Sequence, residues 1–325
     1  MNIPQRRPRA DAEDDRVLPF QVDVLDVRGR VVRLGPALNE VLAHHDYPAP
    51  VARLVAEATT VAVLLGSSLK GMGRFIFQTQ TDGPVDMLIV DISAPERVRA
   101  YARFDAARVA EAAANNEASS GALLGNGHLA MTIEAGADAT RYQGVVALAG
   151  EGLEAAAHRY FAQSEQIPSK LRLAVGEELQ TRGRAPKWRA GGLLVQFLPR
   201  EAARAARADL DPGDAPAGMQ RHAVAEDDAW VEAQALVATV EDHELLDPSL
   251  SSERLLYRLF NQPGVRVFRV QPVTGQCTCS RERVEKLLRG FTPADRAGMV
   301  ENGKVTVKCE FCGRAYEFEP GEVGV

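Results

Sequence analysis

The chain has 325 residues, 46% hydrophobic and 25% charged, with a formal net charge of −6 and a sequence pI near 5.6. Its length and apolar content suit a substantial core divided over roughly two or three domains, and its acidic balance argues against a phosphate backbone as main partner, since such binding rests on clustered Lys and Arg. The first 15 residues are rich in Arg, Pro and Asp with no apolar run behind them, and no stretch of about 18 consecutive apolar residues follows, so the expectation is a cytoplasmic protein without a membrane span, in a compartment where cysteines stand as free thiols or metal thiolates.

Residues 20–34 alternate apolar and polar around Arg28-Gly29, which predicts two strands joined by a tight turn there. Helical spacing follows over 36–45 and 50–65, the second through Leu54, Val55, Ala58, Val61, Ala62 and Leu65. Strand-like runs are predicted at 74–81, 85–92, 98–104, 128–134, 143–149, 170–176 and 193–198, some separated by glycine-bearing turns at Asp82-Gly83 and Asn126-Gly127. Connections this short force antiparallel pairing, because a parallel crossover takes about a dozen residues or more. Residues 151–166 add an amphipathic helix with Leu153, Ala156, Tyr160 and Phe161 near one face.

Over about 200–228 the composition shifts to Ala, Arg, Asp, Pro and Gly, with too few large apolar residues to anchor a core, which reads as a mobile connector. Two short helices are predicted beyond it, at 230–240 and 252–260, with Asp228 and Ser251 as N-caps. Helices this short are marginal alone and need a surface to pack on. The expected fold class is α+β: an N-terminal mixed sheet-and-helix domain over 1–228, a helical linker over 229–270 and a small C-terminal zinc-binding module over 271–325.

All four cysteines lie in the last 49 residues, as CxC at Cys277 and Cys279, 29 intervening residues, and CxxC at Cys309 and Cys312. Four soft thiolates suit one tetrahedral Zn2+, and Cys309-Glu310-Phe311-Cys312-Gly313 looks like a zinc knuckle in which Gly313 lets the chain turn back. Within the module a helix is predicted at 281–289, Thr292-Pro293 as an N-cap with a first-turn proline, and strands at 304–308 and 315–318. So small a module buries little core, and metal is the expected staple. Four protein ligands leave no open position for an activated water, and none of the histidines, at 44, 45, 128, 158, 222 and 243, lies in the module to compete. Spacing alone leaves open whether the site is a redox-inert ribbon or a switch. Neighbouring thiols, Cys277 with Cys279 and Cys309 with Cys312, could pair without long rearrangement once an oxidant attacks.

The chain resembles the heat-shock protein thirty-three family of redox-regulated bacterial holdase chaperones. The resemblance rests on the CxC followed by Ser280-Arg281-Glu282-Arg283, the lead-in Gln271-Pro272-Val273, and the CxxC-Gly ending with Tyr316. It extends to Gly125-Asn126-Gly127 with Met131-Thr132-Ile133, Arg141-Tyr142-Gln143-Gly144-Val145-Val146, Tyr160-Phe161 through Ser164-Glu165-Gln166, and Leu255-Leu256-Tyr257-Arg258-Leu259. The stretch 200–228 is longer than the family's usual connection, which bears on the domain boundary and not on the switch.

This resemblance implies an ATP-independent chaperone that zinc keeps inactive in the reduced state. Oxidation would pair Cys277 with Cys279 and Cys309 with Cys312, release zinc, unfold the module and free the linker from the N-terminal domain. Unfolded client proteins are the implied partners and a homodimer the implied oxidised state. Phe75, Phe77, Met87 and Ile89 are candidates for the surface beneath the linker, with a core position the preferred reading.

Two other classes fit less well. Ser67 and Lys70 match SxxK spacing, but no Ser-Asp-Asn or Lys-Thr-Gly element accompanies them, and Lys70 with Gly66, Gly71 and Gly73 does not form a P-loop; the chain is read as no enzyme. A redox-inert zinc ribbon binding RNA or a protein is the remaining alternative. Eight Lys/Arg against eight Asp/Glu from Cys277 onward make a poor phosphate clamp, and the stripe Arg200, Arg204, Arg207 reads as a solvated face.

Overall fold

The computed structural model of the chain describes residues 14–69, 73–93, 96–134, 141–178, 187–198 and 227–324; most of the expected connector, with Arg200, Arg204 and Arg207, lies outside them. The described chain opens with a hairpin of β1 (Arg16–Val22) and β2 (Val27–Leu34). Its turn is 23–26, where Asp26 takes a φ of 50°, and not Arg28-Gly29 as expected. Gly29 lies inside β2 opposite Phe20. A Cβ there would stand 2.3 Å from the Phe20 ring and 2.5 Å from the Leu194 carbonyl oxygen, so this glycine answers to close packing.

Helices α1 (Pro36–Leu42) and α2 (Ala49–Gly66) follow, each with proline in its first turn, where a missing N–H is tolerated. Strands β3 (Arg74–Thr81), β4 (Val85–Ser93), β5 (Arg97–Phe104), β6 (Asn126–Glu134) and β7 (Tyr142–Ala149) form one sheet in the order β5-β4-β3-β6-β7. Asn126-Gly127, expected as a turn, instead opens β6 beside the Asp82-Gly83 turn, with the Asn126 amide donating to Asp82 Oδ1 at 2.7 Å. Helices α3 (Ala106–Ala114) and α4 (Ser120–Leu124) bridge the two halves of this sheet. Helix α5 (Leu153–Tyr160) runs into a π-helical turn at Phe161–Glu165. Strands β8 (Ser169–Glu178) and β9 (Lys187–Phe197) complete the second sheet beside the hairpin, in the order β1-β2-β9-β8. Neighbouring strands in both sheets pair antiparallel, as the short connections demand.

Helix α2 lies between the two sheets. Its Leu54, Val55, Ala58 and Val61 share one core with Val32 and Leu194 of the hairpin sheet and with Phe77, Leu88 and Met131 of the other. The helix is long and apolar enough to cross a membrane, yet 72% of it is buried inside the protein. Phe75 and Phe77 belong to this core, whereas Met87 and Ile89 are half-buried on the opposite face of their sheet; none of the four underlies the linker.

The linker covers the outer face of the hairpin sheet instead. Helices α6 (Asp228–Ala238), α7 (Asp242–Leu246) and α8 (Ser252–Phe260) place Trp230, Val237, Leu245, Leu255, Leu256 and Phe260 against Leu18, Phe20, Val31, Leu193, Val195 and Phe197. Burial of each such large apolar side chain stabilises by roughly 1.5–3 kcal/mol relative to exposure. Ser251 caps α8 by accepting from the Arg254 amide at 3.2 Å. The cap of α6 is Asp227, which accepts from the Ala229 amide at 2.9 Å, and not Asp228 as expected. Asp228 occupies the first turn, where its charge faces the positive end of the helix. Arg33, only 1% exposed, donates from β2 to the carbonyls of Glu244 and Asp247 at 2.6 and 2.9 Å, which ties α7 down.

Beyond α8 the chain returns along the free edge of β1. Strands β10 (Arg266–Val267) and β11 (Gln271–Pro272) pair with its two ends, and Thr274 then bridges to Arg97 on the edge of β5. The remainder forms a third core of Val284, Leu288, Val305, Tyr316, Phe318 and Val323. It is built from α9 (Arg281–Arg289), α10 (Pro293–Gly298) and the sheet of β12 (Val300–Glu301), β13 (Lys304–Lys308) and β14 (Ala315–Phe318). Ser280 and Thr292 cap α9 and α10 through their side-chain oxygens.

Candidate metal centre and its seam with the body

Strand β13 delivers Cys309, and a tight turn then brings Cys312 back beside it. Gly313, with a φ of +67°, donates its amide to the Cys309 carbonyl at 2.8 Å, and the Cys309 amide donates to the Arg314 carbonyl at 2.9 Å. The turn aims amides at sulfur: those of Phe311 and Cys312 donate to the Cys309 thiol, and that of Arg314 to Cys312. Across the cluster the Cys279 amide donates to the Cys277 sulfur.

All four sulfurs lie within 4.8 Å of one another and could hold a metal ion. Cys277 and Cys309 Sγ are 3.8 Å apart, and Cys279 and Cys312 Sγ 3.4 Å. Zinc bonded to four sulfurs at about 2.3 Å sets tetrahedral edges of about 3.8 Å, so the cluster has the size zinc requires. The donor set, four half-buried thiols and no carboxylate or imidazole, fits the same ion.

Burial pushes the Cys277 thiol up, but the Cys279 amide, the Arg99 guanidinium and the neighbouring thiols outweigh it and bring it down to about 7. Burial pushes Cys312 up to about 12 and raises Cys309 as well, with the Cys277 charge adding to both. Four thiolates so close repel one another, and a divalent cation among them removes the conflict. Tyr316 Oη donates to Cys279 Sγ at 3.1 Å, a contact that orients this sulfur from β14.

The cluster does not stand free of the body. Arg99, on β5, donates from Nη1 to Cys277 Sγ at 3.7 Å and places its guanidinium 4.1 Å from the centroid of the Phe311 ring. The other nitrogens of Arg99 hold Asp91, which is 1% exposed and is gripped on its far side by Arg74 through two bonds of 2.9 Å. His45 Nε2 lies 3.2 Å from the Phe311 carbonyl, and Tyr101 hydrogen-bonds Glu310. Burial lowers the pKa of His45, which favours a neutral ring at this contact.

Cys277, Cys279, Cys309 and Cys312, singled out by spacing, thus converge on one point. Arg99 and His45 carry no such signal. Arg99 is one member of an ordinary polar alternation with Tyr101 and Arg103, and its partner is 178 residues away. Among the other histidines, His158 accepts from the Leu171 amide at 2.9 Å, His128 and His243 are exposed, and His222 lies outside the described residues. Ser67 donates to the Leu64 carbonyl at 2.9 Å at the end of α2, and Lys70 lies outside the described residues.

Two sheets around a buried helix, an apolar outer face covered by further helices, and a four-thiol centre beyond them define an α+β protein with an appended metal-thiol module. The chain belongs to the Hsp33 family, whose model, described as Hsp33 protein, matches residues 15–319. It is 44% identical over 316 residues to the 33 kDa chaperonin of Caulobacter vibrioides strain NA1000, covering 96% of this chain and 97% of that protein. To the 33 kDa chaperonin of Pseudomonas aeruginosa strain UCBPP-PA14 it is 34% identical over 314 residues, covering 96% and 94%. The crystal structure of the 33 kDa chaperonin from Thermotoga maritima, 19% identical, shares the fold with a TM-score of 0.70 over 95% of this chain and 97% of the other. The family is one of chaperones of the heat-shock class.

Proposed function

We propose that this chain is an ATP-independent holdase, switched on by oxidation of a four-cysteine zinc site and active against aggregation of unfolding proteins during oxidative stress. The observation that carries the reading is one continuous path: the four-thiol cluster, the strands β10 and β11 clipped to β1, and the helices lying on the apolar outer face of the same sheet. Cys277, Cys279, Cys309 and Cys312 would hold one Zn2+ per reduced chain, which supplies the cross-link that a module whose own core holds six buried apolar residues lacks.

The functional division is a client-binding body over 1–228, a redox-responsive linker over 229–270 and a switch over 271–325. Forming each disulfide removes two electrons from a thiolate pair; hypochlorous acid accepts them together with one proton from solvent and leaves as chloride and water. We assign the pairs as Cys277 with Cys279 and Cys309 with Cys312, which join residues that stay near each other when the module unfolds. Loss of the module removes the anchor of β11, and α6 to α8 are too short to persist without their surface. Phe20, Val31, Leu193 and Val195 then face solvent and clients. Self-association of the uncovered chains gives a homodimer, in the cytoplasm and without an enzymatic step.

The test is light scattering of a heat-unfolding client with reduced or hypochlorite-treated chain, while a chromogenic chelator follows zinc. Suppression only after oxidation, with loss of one zinc and four thiols per chain, is the expected result. Zinc release with continued client aggregation would make the site a structural ribbon.

A further inference from the structure

We propose that Arg99 is a positioning residue of the metal centre: one guanidinium of the body holds the Cys277 sulfur and the Phe311 ring together, so that seating of the C-terminal module on β5 and retention of the metal form one linked equilibrium. The inference rests on the reading of the four cysteines as a zinc site.

Arg99 is held before it meets the module. Its Nε and Nη2 are fixed on Asp91, whose carboxylate is anchored within β4 and shared with Arg74. A planar guanidinium immobilised on one edge keeps its remaining nitrogen and its face available in a defined direction. That nitrogen, Nη1, reaches Cys277 at 3.7 Å, while the cation lies 4.1 Å from the centre of the Phe311 ring. Phe311 stands between Cys309 and Cys312 in the knuckle, so the cation grips both halves of the ligand set, although they are separated by 29 residues of sequence. Two further seam contacts, from His45 and Tyr101, also end on knuckle residues Phe311 and Glu310. Undocking the module therefore withdraws outer-shell support from both ligand pairs at once, and loss of outer-shell partners typically costs about 10–100-fold in metal affinity.

The experiment uses the full reduced chain loaded with zinc and reads two quantities, the rate of zinc transfer to a chromogenic chelator and amide exchange over residues 309–316. Arg99→Gln should speed zinc transfer about tenfold or more and raise exchange in the knuckle, and Arg99→Lys, which keeps the charge without the fork, should restore part of the loss. Because Arg99 also neutralises Asp91, Phe311→Leu tests the same contact from the module side without touching Asp91 or a ligand. The two changes combined should release zinc no faster than the more severe single change, since both break one contact. Arg103→Gln, on the same strand but bound to Asp86 at the surface, should leave the rate unchanged. Transfer from Arg99→Gln and Phe311→Leu at the wild-type rate, or fully additive effects, would overturn the proposal while the zinc reading stood. A wild-type chain that holds no zinc would sink both.

Discussion

The ring of Phe20, on β1, stands 5.6 Å centroid to centroid from the ring of Phe260, at the end of α8. The Phe20 ring fits there because Gly29, opposite it on β2, leaves the space that a Cβ would take. This pair joins the sheet face to the last helix of its cover. Phe260→Ala should cost about 3–5 kcal/mol, taken from the attachment of the cover rather than from the core around α2. The expected outcome is a reduced, zinc-loaded chain whose residues 228–264 are cut readily by protease and which partly suppresses client aggregation without oxidant. Unchanged protease resistance would contradict the assignment of this face.

Arg33 makes a second, polar attachment. Replacement by Met removes the donor to the Glu244 and Asp247 carbonyls in a part-buried site. Hydrogen bonds to charged groups contribute about 1.5–3 kcal/mol each, so Arg33→Met should lower the oxidant concentration at which aggregation of a client is half suppressed. An unchanged or raised threshold would mean that α7 is held by its apolar contacts and by Arg172 and Arg189, which bind Asp242 and the Leu246 carbonyl.

The metal ligands are tested by Cys309→Ser and Cys312→Ser. Each variant should retain less zinc and show accelerated amide exchange through residues 277–324, with partial activity before any oxidant is added. After oxidation of the wild-type chain, digestion at Arg281 and Lys286 followed by mass mapping should give separate peptides carrying Cys277–Cys279 and Cys309–Cys312. The sulfurs in contact in the folded cluster, Cys279 with Cys312 and Cys277 with Cys309, lie across the two pairs. Recovery of those crossed links would show that disulfides form before the module unfolds.

Asp91 supplies a pH test. Burial raises the pKa of its carboxyl, but Arg74 and Arg99 outweigh this and leave it below the usual carboxylate range. A group depressed in the folded state adds stability that is present above its unfolded value of about 3.9 and is lost as pH falls through the folded one. Asp91→Asn should therefore lower the unfolding midpoint at pH 7 and flatten its decline on acidification. A variant that follows the wild-type acid profile in parallel would remove Asp91 from the account.

Period and spacing carried much of this protein. The α2 helix, the antiparallel strands and the module's cap at Thr292 follow from local pattern and cap chemistry, and the four cysteines stand out because no other cysteine competes with them. Gly29 misled because a glycine needed for a neighbouring ring and a glycine needed for a turn look alike in one dimension; Asp26, with its positive φ, makes the turn. At α6 the expected cap, Asp228, is one residue late: the backbone geometry puts Asp227 at the N-cap. Helix α3 is mostly alanine and buries only Val109, too little for its period to register. The face beneath the linker and the Arg99 seam depend on which surfaces meet, and periodicity within one element does not encode that.

β10 and β11 occupy the outer edge of β1, with Phe20 opposite Val267 and Arg16 opposite Pro272. Were that segment to lift away, as the proposed switch requires, seven residues of main chain would be left as an open half-ladder beside a bare apolar sheet. An edge of this kind recognises the peptide group, which every polypeptide carries, and an extended segment laid along it keeps alternate side chains clear of the join. Selection would then depend on the client being unfolded and not on its sequence.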